Sequence, residues 1–355
     1  MVTPADQQGI FEQRKRDHIR LALDPRVQTQ GMAGFDRIQL VHEALPNLDF
    51  SEINLQTKLL GQDCSCPLYI SSMTAGHTHG ELINARLSRL SHDRQILMGV
   101  GSQRKELFDP SAGLEWKKLR AQFPKARWIS NIGIAQLIMA ANDMAWGRIQ
   151  GLVDSLESVG LFVHLNALQE CLQPEGTPQF KGGLQALEKL VKTLSVPVIV
   201  KEVGCGFSAP TLQRLENIGV QIVDVSGMGG THWGRIEGLR ADEASVQAQA
   251  AQTFQSWGIS TVESLISGAE VLKKTEMWAS GGVRCGLDAV KALSMGAKAV
   301  GVAQPFLQAA LESEAAVDRV FTQLEFDMKV ALFCTGVKQV ADFAEIKEKK
   351  IWTWK

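Results

Sequence analysis

The segment His164-Leu165-Asn166-Ala167-Leu168-Gln169-Glu170 places four polar side chains at the end of an apolar run that starts at Val159. On a strand, alternation sends His164 and Asn166 to one face and Leu165 to the other. A lone histidine is more often a hydrogen-bonded core residue than a ligand, but four polar residues at one strand tip point to a site. Glu170 offers a hard oxygen of the kind Mg²⁺ takes, since that ion uses one or two carboxylates and completes its shell with substrate phosphates. Gln169 and Glu170 cannot share a face on a continuing strand, so the chain must turn there.

Lys201 stands in Val198-Ile199-Val200-Lys201-Glu202-Val203, where a buried strand tolerates an unpaired charge poorly. Three roles suit it: a Schiff base with a carbonyl substrate, a cation that stabilises negative charge on a cofactor ring, or a structural partner for a carboxylate such as Asp224. A third constellation is SGGVRCG, residues 280–286, followed by AVGVAQPFL, residues 299–307. Glycines there let backbone N–H groups approach an anion, and the helix that follows adds its dipole. Taken alone, Gly281, Gly282 and Gly286 would serve a tight turn equally well.

The elements that position these residues are eight short β-branched runs, at 67–72, 96–101, 127–133, 161–166, 197–204, 221–227, 277–282 and 299–304, with helical stretches between them. That alternation is the signature of βαβ units, and the count is that of a (β/α)₈ TIM barrel, an α/β fold whose chemistry sits at the strand C-terminal ends. The last two tips then form the phosphate cup usual in such barrels. Ser260-Thr261-Val262-Glu263 is a capping box opening a helix towards Leu272. The expected organisation is an N-terminal extension (1–65) covering the barrel's bottom or flank, one barrel (66–345) and a tail (346–355). The long connection 229–258 after the sixth strand is expected to act as a lid.

Composition restricts the function classes. The chain has 355 residues, 45% of them hydrophobic and 21% charged, with a formal charge of −1, so nothing resembles the clustered Lys and Arg of a nucleic-acid footprint. The N-terminus lacks the apolar core of a signal peptide and no segment is apolar enough to span a bilayer, which leads us to expect a cytoplasmic protein. Six scattered cysteines lack zinc or disulfide-framework spacing; Cys64-Ser65-Cys66 could bind metal or be redox active, or hold two thiols near a strand start.

Assembled in order, RKRDHI from Arg14, SSMTAG, GSQR, NIGIAQL, HLNALQE, VKEVGCGFS, DVSGMGGTHW, SGGVRCGLDAVKALSMGA and AVGVAQPFL make the sequence resemble the type 2, FMN-dependent isopentenyl-diphosphate isomerases over most of its length. The resemblance implies an isomerase of isoprenoid biosynthesis that moves a double bond by a 1,3 proton shift. Its flavin must be reduced, typically by NADPH, although the reaction has no net redox change. FMN would be held by Met73, Thr74, Ala75, Ser102, Asn131, Lys201 near the ring's N1 and C2 carbonyl, Ser226 and Thr231. Its phosphate would lie against Gly281, Gly282, Val283, Arg284, Ala303 and Gln304. The substrate diphosphate would meet Arg14, Lys15, Ser102, Gln103, Arg104, His164 and Asn166, with Mg²⁺ on Glu170 and Gln169 beside the reacting carbons in an orienting or relaying role. A homo-oligomer, tetramer or octamer, is implied as well, in which Arg14 and Lys15 could act within or across subunits. Ala75, Ala167, His232 and Gln304 depart from the family's usual residues, and His232 has no assigned task. A 2-hydroxyacid oxidoreductase on a similar barrel is the competing reading; it needs a lumen histidine and a carboxylate-binding arginine but neither RKRDHI nor Glu170.

Overall fold

The computed structural model describes residues 13, 14, 16–73, 78–345 and 352–354. Each of the eight apolar runs contributes one parallel strand: β1 Leu68–Ile70, β2 Leu97–Gly99, β3 Arg127–Gly133, β4 Gly160–Leu165, β5 Val198–Glu202, β6 Ile222–Asp224, β7 Glu276–Trp278 and β8 Val300–Val302. Sequence neighbours are sheet neighbours, β8 pairs with β1, and a bridge between Ala279 and Val300 closes the ring between β7 and β8. The protein is a TIM barrel. Several runs outlast their strands because the last residues leave the ladder to form the tips at the mouth. The register sets Gly133, His164, Lys201 and Asp224 opposite one another across β3 to β6, so the polar residues share one level.

The barrel interior is packed, as this architecture requires. Tyr69, Leu97, Ile129, Phe162, Ile199, Ile222, Trp278 and Ala299 fill it, and Leu59 and Cys64 join them from an antiparallel hairpin, Thr57–Leu59 with Gln62–Cys64. That hairpin closes the end where the strands begin. Val163, Val200, Val223 and Val300 on the outer strand faces pack into the shell of helices. Burying each large side chain in these two layers stabilises the fold by about 1.5–3 kcal/mol.

The extension is not confined to the bottom or flank. Gln28 bridges Thr231, and the Thr29 amide donates to the Gly230 carbonyl at 2.9 Å, so this part of the chain crosses the mouth while the later hairpin plugs the opposite end. Nor is the connection after β6 a bare loop: it carries the helices Trp233–Arg240 and Val246–Thr253. His232 caps the first of them, its Nδ1 accepting from the Arg235 amide at 3.2 Å while Nε2 lies 3.2 Å from the Trp257 carbonyl. This histidine is structural, and burial lowers its pKa. The capping box at Ser260 and Glu263 opens Thr261–Val271 with Leu272 as C-cap. Trp352–Trp354 pairs antiparallel with Ile38–Leu40, which ties the chain's end to the extension. Among the described residues no helix is long and apolar enough to cross a membrane.

Candidate active site

Strand β4 ends at Leu165, and Asn166 (φ −145°, ψ 46°) turns the chain into a short helix, Ala167–Leu172. At 3.6 residues per turn, positions 166, 169 and 170 fall on one side. This is the turn that the adjacency of Gln169 and Glu170 demanded. Asn166 Nδ2 donates to Gln169 Oε1 at 3.2 Å and to Glu170 Oε1 at 3.0 Å, while Glu170 Oε2 accepts from the Thr177 amide at 2.5 Å. Gln169 Nε2 in turn donates to Glu237 Oε1 at 3.0 Å. Glu237 belongs to Trp233–Arg240 and is fully buried; its Oε1 also faces His18 Nε2 at 2.9 Å, and its Oε2 accepts from Arg240. Burial pushes the Glu237 carboxyl up, but His18, Arg240 and Gln169 outweigh it and hold the pKa below the usual carboxylate range. Arg240 continues to Glu175 at 2.9 Å, which lies 3.7 Å from Arg14. The extension is thereby tied to the tips of β4 and β6.

Lys201, 6% exposed, donates to the Glu202 carbonyl at 2.6 Å and lies 3.9 Å from Asp224 Oδ2. Burial lowers its pKa, against the opposing pull of Asp224 and Glu202. Asp224 accepts from Tyr69 Oη at 2.5 Å, from Ser280 Oγ at 2.9 Å and from the Ser226 amide at 3.2 Å. That last bond holds Ser226 at φ 34°, a left-handed conformation that non-glycine residues adopt only where the surroundings impose it. Glu202 curls over its own strand end: its Oε2 accepts from the amides of Val203 at 2.8 Å, Gly204 at 3.0 Å and Cys205 at 2.7 Å. Burial raises this carboxyl to about 7 despite those three bonds.

Beyond β7, Gly281 and Gly282 have φ of 94° and 79°, and a Cβ on Gly282 would come within 2.7 Å of Ala33 Cβ and of the Gly229 carbonyl carbon. Only glycine permits the backbone to pass there. Helices Gly286–Ser294 and Gln304–Glu312 begin beside this turn and beside Ala303. Arg284 Nη2 donates to Gln28 Oε1 at 2.6 Å and Nη1 to Gln304 Oε1 at 3.4 Å, so Gln304 steadies the guanidinium. The amides of Arg284 and Gly286 already donate to Asp288 and Asp327, so the groups here that could take an anion are the Gly281–Gly282 backbone, the Arg284 side chain and the start of Gln304–Glu312.

These pieces line one cavity of about 1600 Å³, its open mouth included. Of the expected residues it brings together Arg14, Met73, Ser102, Arg104, Asn131, His164, Asn166, Gln169, Glu170, Lys201, Ser226, Thr231, the 281–284 turn, Ala303 and Gln304. Gln103 is a correction. It is fully buried and off the cavity wall, with its amide oxygen 3.1 Å from the Asn131 amide, so it holds in place the residue whose Oδ1 meets His164 Nδ1 at 2.9 Å. Lys15, Thr74 and Ala75 lie outside the described residues. Cys64 and Cys66 are free and buried, and burial pushes Cys66 up to about 12, which suits inert thiols. Among the described residues no cluster of three or more His, Cys, Asp or Glu could hold a metal. Sequence reasoning missed His18, Gln136, Gln173 and Trp233 on the wall, and Glu237 behind it. His18 was accessible, standing one helical turn from Arg14 and hence on its face. Glu237 had no signal, since WGRIEGLR reads as an ordinary surface helix.

A family model described as FMN-dependent dehydrogenase matches residues 165–352. Among solved structures, the fold is similar to an oxidised active mutant of (S)-mandelate dehydrogenase (TM-score 0.66, 18% identity, 100% of each chain covered). A flavocytochrome b2 mutant with pyruvate bound is similar too (TM-score 0.65, 18% identity, 99% of this chain and 86% of that one). Sequence similarity is much closer to proteins named isopentenyl-diphosphate delta-isomerase. That of Bdellovibrio bacteriovorus is 55% identical over 345 residues, covering 96% of this chain and 97% of its own. That of Legionella pneumophila strain Corby is 51% identical over 335 residues (94% and 97%), and that of Pseudescherichia vulneris 42% over 336 (94% and 95%). On these matches, and with a barrel of the same kind around the cavity, the chain belongs to the FMN-dependent isopentenyl-diphosphate delta-isomerase family.

Proposed function

We propose that the protein interconverts isopentenyl and dimethylallyl diphosphate by a 1,3 proton shift, with FMN in the barrel mouth and Mg²⁺ on Glu170. The observation that carries this reading is that one cavity gathers two sets of residues suited to anions. The 281–284 turn with Ala303 makes up one set, and Arg14, Arg104 and His164, which line the same cavity as Glu170, make up the other. A flavin phosphate suits the first set and a substrate diphosphate the second. The residues fit such ligands: Ser72 Oγ, Gln136 Nε2 and Asn166 Oδ1 on the wall are buried without a protein partner, which is where a polar ligand is wanted. A single carboxylate suits Mg²⁺ that is also held by diphosphate.

Reduced FMN, when bound, supplies an electron-rich ring and an exchangeable proton beside the reacting carbons. The protein's own task is then position and charge. Lys201, which lines the cavity, would present its ammonium to the bound flavin ring. Gln169 is tied at both ends, by Asn166 and by Glu237, so its amide is fixed beside the hydrocarbon chain. An amide is a poor base, and Gln169 orients the substrate rather than removing its proton. Ile19, Ala22, Trp233 and Leu307 give the cavity apolar wall for the isoprenyl group. Arg14 and Arg104 fix the diphosphate, aided by Asn166 and His164, and holding both ends of so small a substrate lowers the entropy cost of reaction.

NADPH would serve only to reduce the flavin. The test is anaerobic incubation of the pure protein with isopentenyl diphosphate, FMN, Mg²⁺ and NADPH, beside a parallel arm with lactate or mandelate. Dimethylallyl diphosphate is expected in the first arm and no flavin bleaching in the second. Bleaching by a 2-hydroxyacid, without isomerisation, would support the oxidoreductase reading, which leaves Gln169 and Glu170 without a task.

A further inference from the structure

Lys201 has two buried carboxylates beside it, and they are not equivalent. Glu202 has one oxygen committed to three backbone amides of its own loop, and what it offers Lys201 is its main-chain carbonyl, at 2.6 Å. Asp224 is 0% exposed, sits directly opposite Lys201 in the β5–β6 register, and has Oδ2 3.9 Å from Nζ. Three donors converge on it from three places: Tyr69 of β1, Ser280 after β7, and the Ser226 amide at the end of its own strand. Tyr69 is itself clamped between the Phe162 and Trp278 rings, with centroids 5.9 and 5.2 Å away. A buried ammonium without a nearby negative charge loses its proton rather than stay ionised.

We infer that Asp224 is the resident counter-ion of Lys201, fixed by Tyr69 and Ser280, and that it keeps the lysine cationic where the lysine borders the cavity. Asp224 is thus a positioning residue that acts through Lys201. An ammonium has three donors, of which the Glu202 carbonyl takes one, leaving the others for a ligand at the mouth. This inference rests on the proposed placement of FMN against Lys201.

The sign of one measurement separates the alternatives. Dissociation constants of oxidised and of reduced FMN, measured for wild type and for Asp224→Asn, give the preference for the reduced form. If Asp224 keeps Lys201 charged, Asp224→Asn lets the lysine go neutral, and the preference for reduced FMN falls roughly tenfold, equivalent to a midpoint potential lower by about 30 mV. If Lys201 holds its proton unaided, removing a negative charge raises the preference, and the inference is overturned; an unchanged preference overturns it as well. In a Lys201→Met background, Asp224→Asn is expected to change the preference little, because the residue through which it acts is gone. Should Asp224→Asn fail to fold, thermal stability of the apoprotein decides: Lys201→Met with Asp224→Asn should be more stable than Lys201→Met alone, since removing both charges relieves an unpaired one. A double variant less stable than the single one would contradict the pairing. Failure of the wild type to bind FMN would instead reject the underlying placement of the cofactor.

Discussion

The histidine, asparagine, glutamine and glutamate that close β4 divide into different environments within seven residues. His164 shares a hydrogen bond with an amide, Asn131, whereas Glu170 has each oxygen on a donor and still borders the cavity. If Glu170 holds Mg²⁺, Glu170→Gln should raise the Mg²⁺ concentration needed for half-maximal isomerisation at least tenfold while FMN titration is unchanged; an unaltered metal dependence would reject that role. Glu237 allows a prediction with a sign. Its carboxyl titrates below the usual range in the folded protein, so its ion pairs stabilise the fold above the unfolded carboxylate pKa of about 4.3, and this contribution is lost as pH falls through the lower folded value. Glu237→Gln should therefore cost about 3 kcal/mol at pH 7. Thermal melts at a series of pH values should show the gap from wild type narrowing below about pH 4.3; a gap that stays constant or widens into acid would contradict the network.

At the scale of elements, the turn at Gly281 and Gly282 belongs to the proposed anion cup, and a Cβ has no room there. Gly282→Ala forces a Cβ against Ala33 and the Gly229 backbone and puts a side chain at φ 79°, so stability should fall by more than about 1 kcal/mol and FMN affinity with it. By contrast, Ser260→Ala removes a capping box one element earlier and should cost about 1 kcal/mol in urea melts while leaving FMN affinity unchanged. If both variants lost FMN equally, the cup would be no more than general scaffolding. The strands were legible because each lies in a short, largely apolar run between helical stretches, and the Ser260 cap because its chemistry is local. The helix at Ala167 was legible only as a constraint: two adjacent polar residues aimed at one site forbid a strand. The two helices between residues 229 and 258 were not read, since Val246–Thr253 is dominated by Ala and Gln and shows little apolar periodicity.

Across the whole molecule, the extension works at both ends of the barrel. Its hairpin plugs the floor with Leu59 and Cys64, and its earlier part brings Arg14, His18 and Gln28 to the mouth. Nothing local in the sequence encodes this, because the joining contacts are distant; Gln28 and Thr231 are 203 positions apart. The tight turn after the seventh strand, by contrast, was readable from glycine spacing. The central claim is the proposed isomerisation of a diphosphate with FMN in the same cavity, and isomerisation followed by proton NMR in D₂O with reduced FMN and Mg²⁺ tests it most directly. The result expected is dimethylallyl diphosphate carrying deuterium in a methyl group, formed only when flavin and metal are both present. Undiminished isopentenyl diphosphate from a protein with FMN fully bound and reduced would contradict the claim.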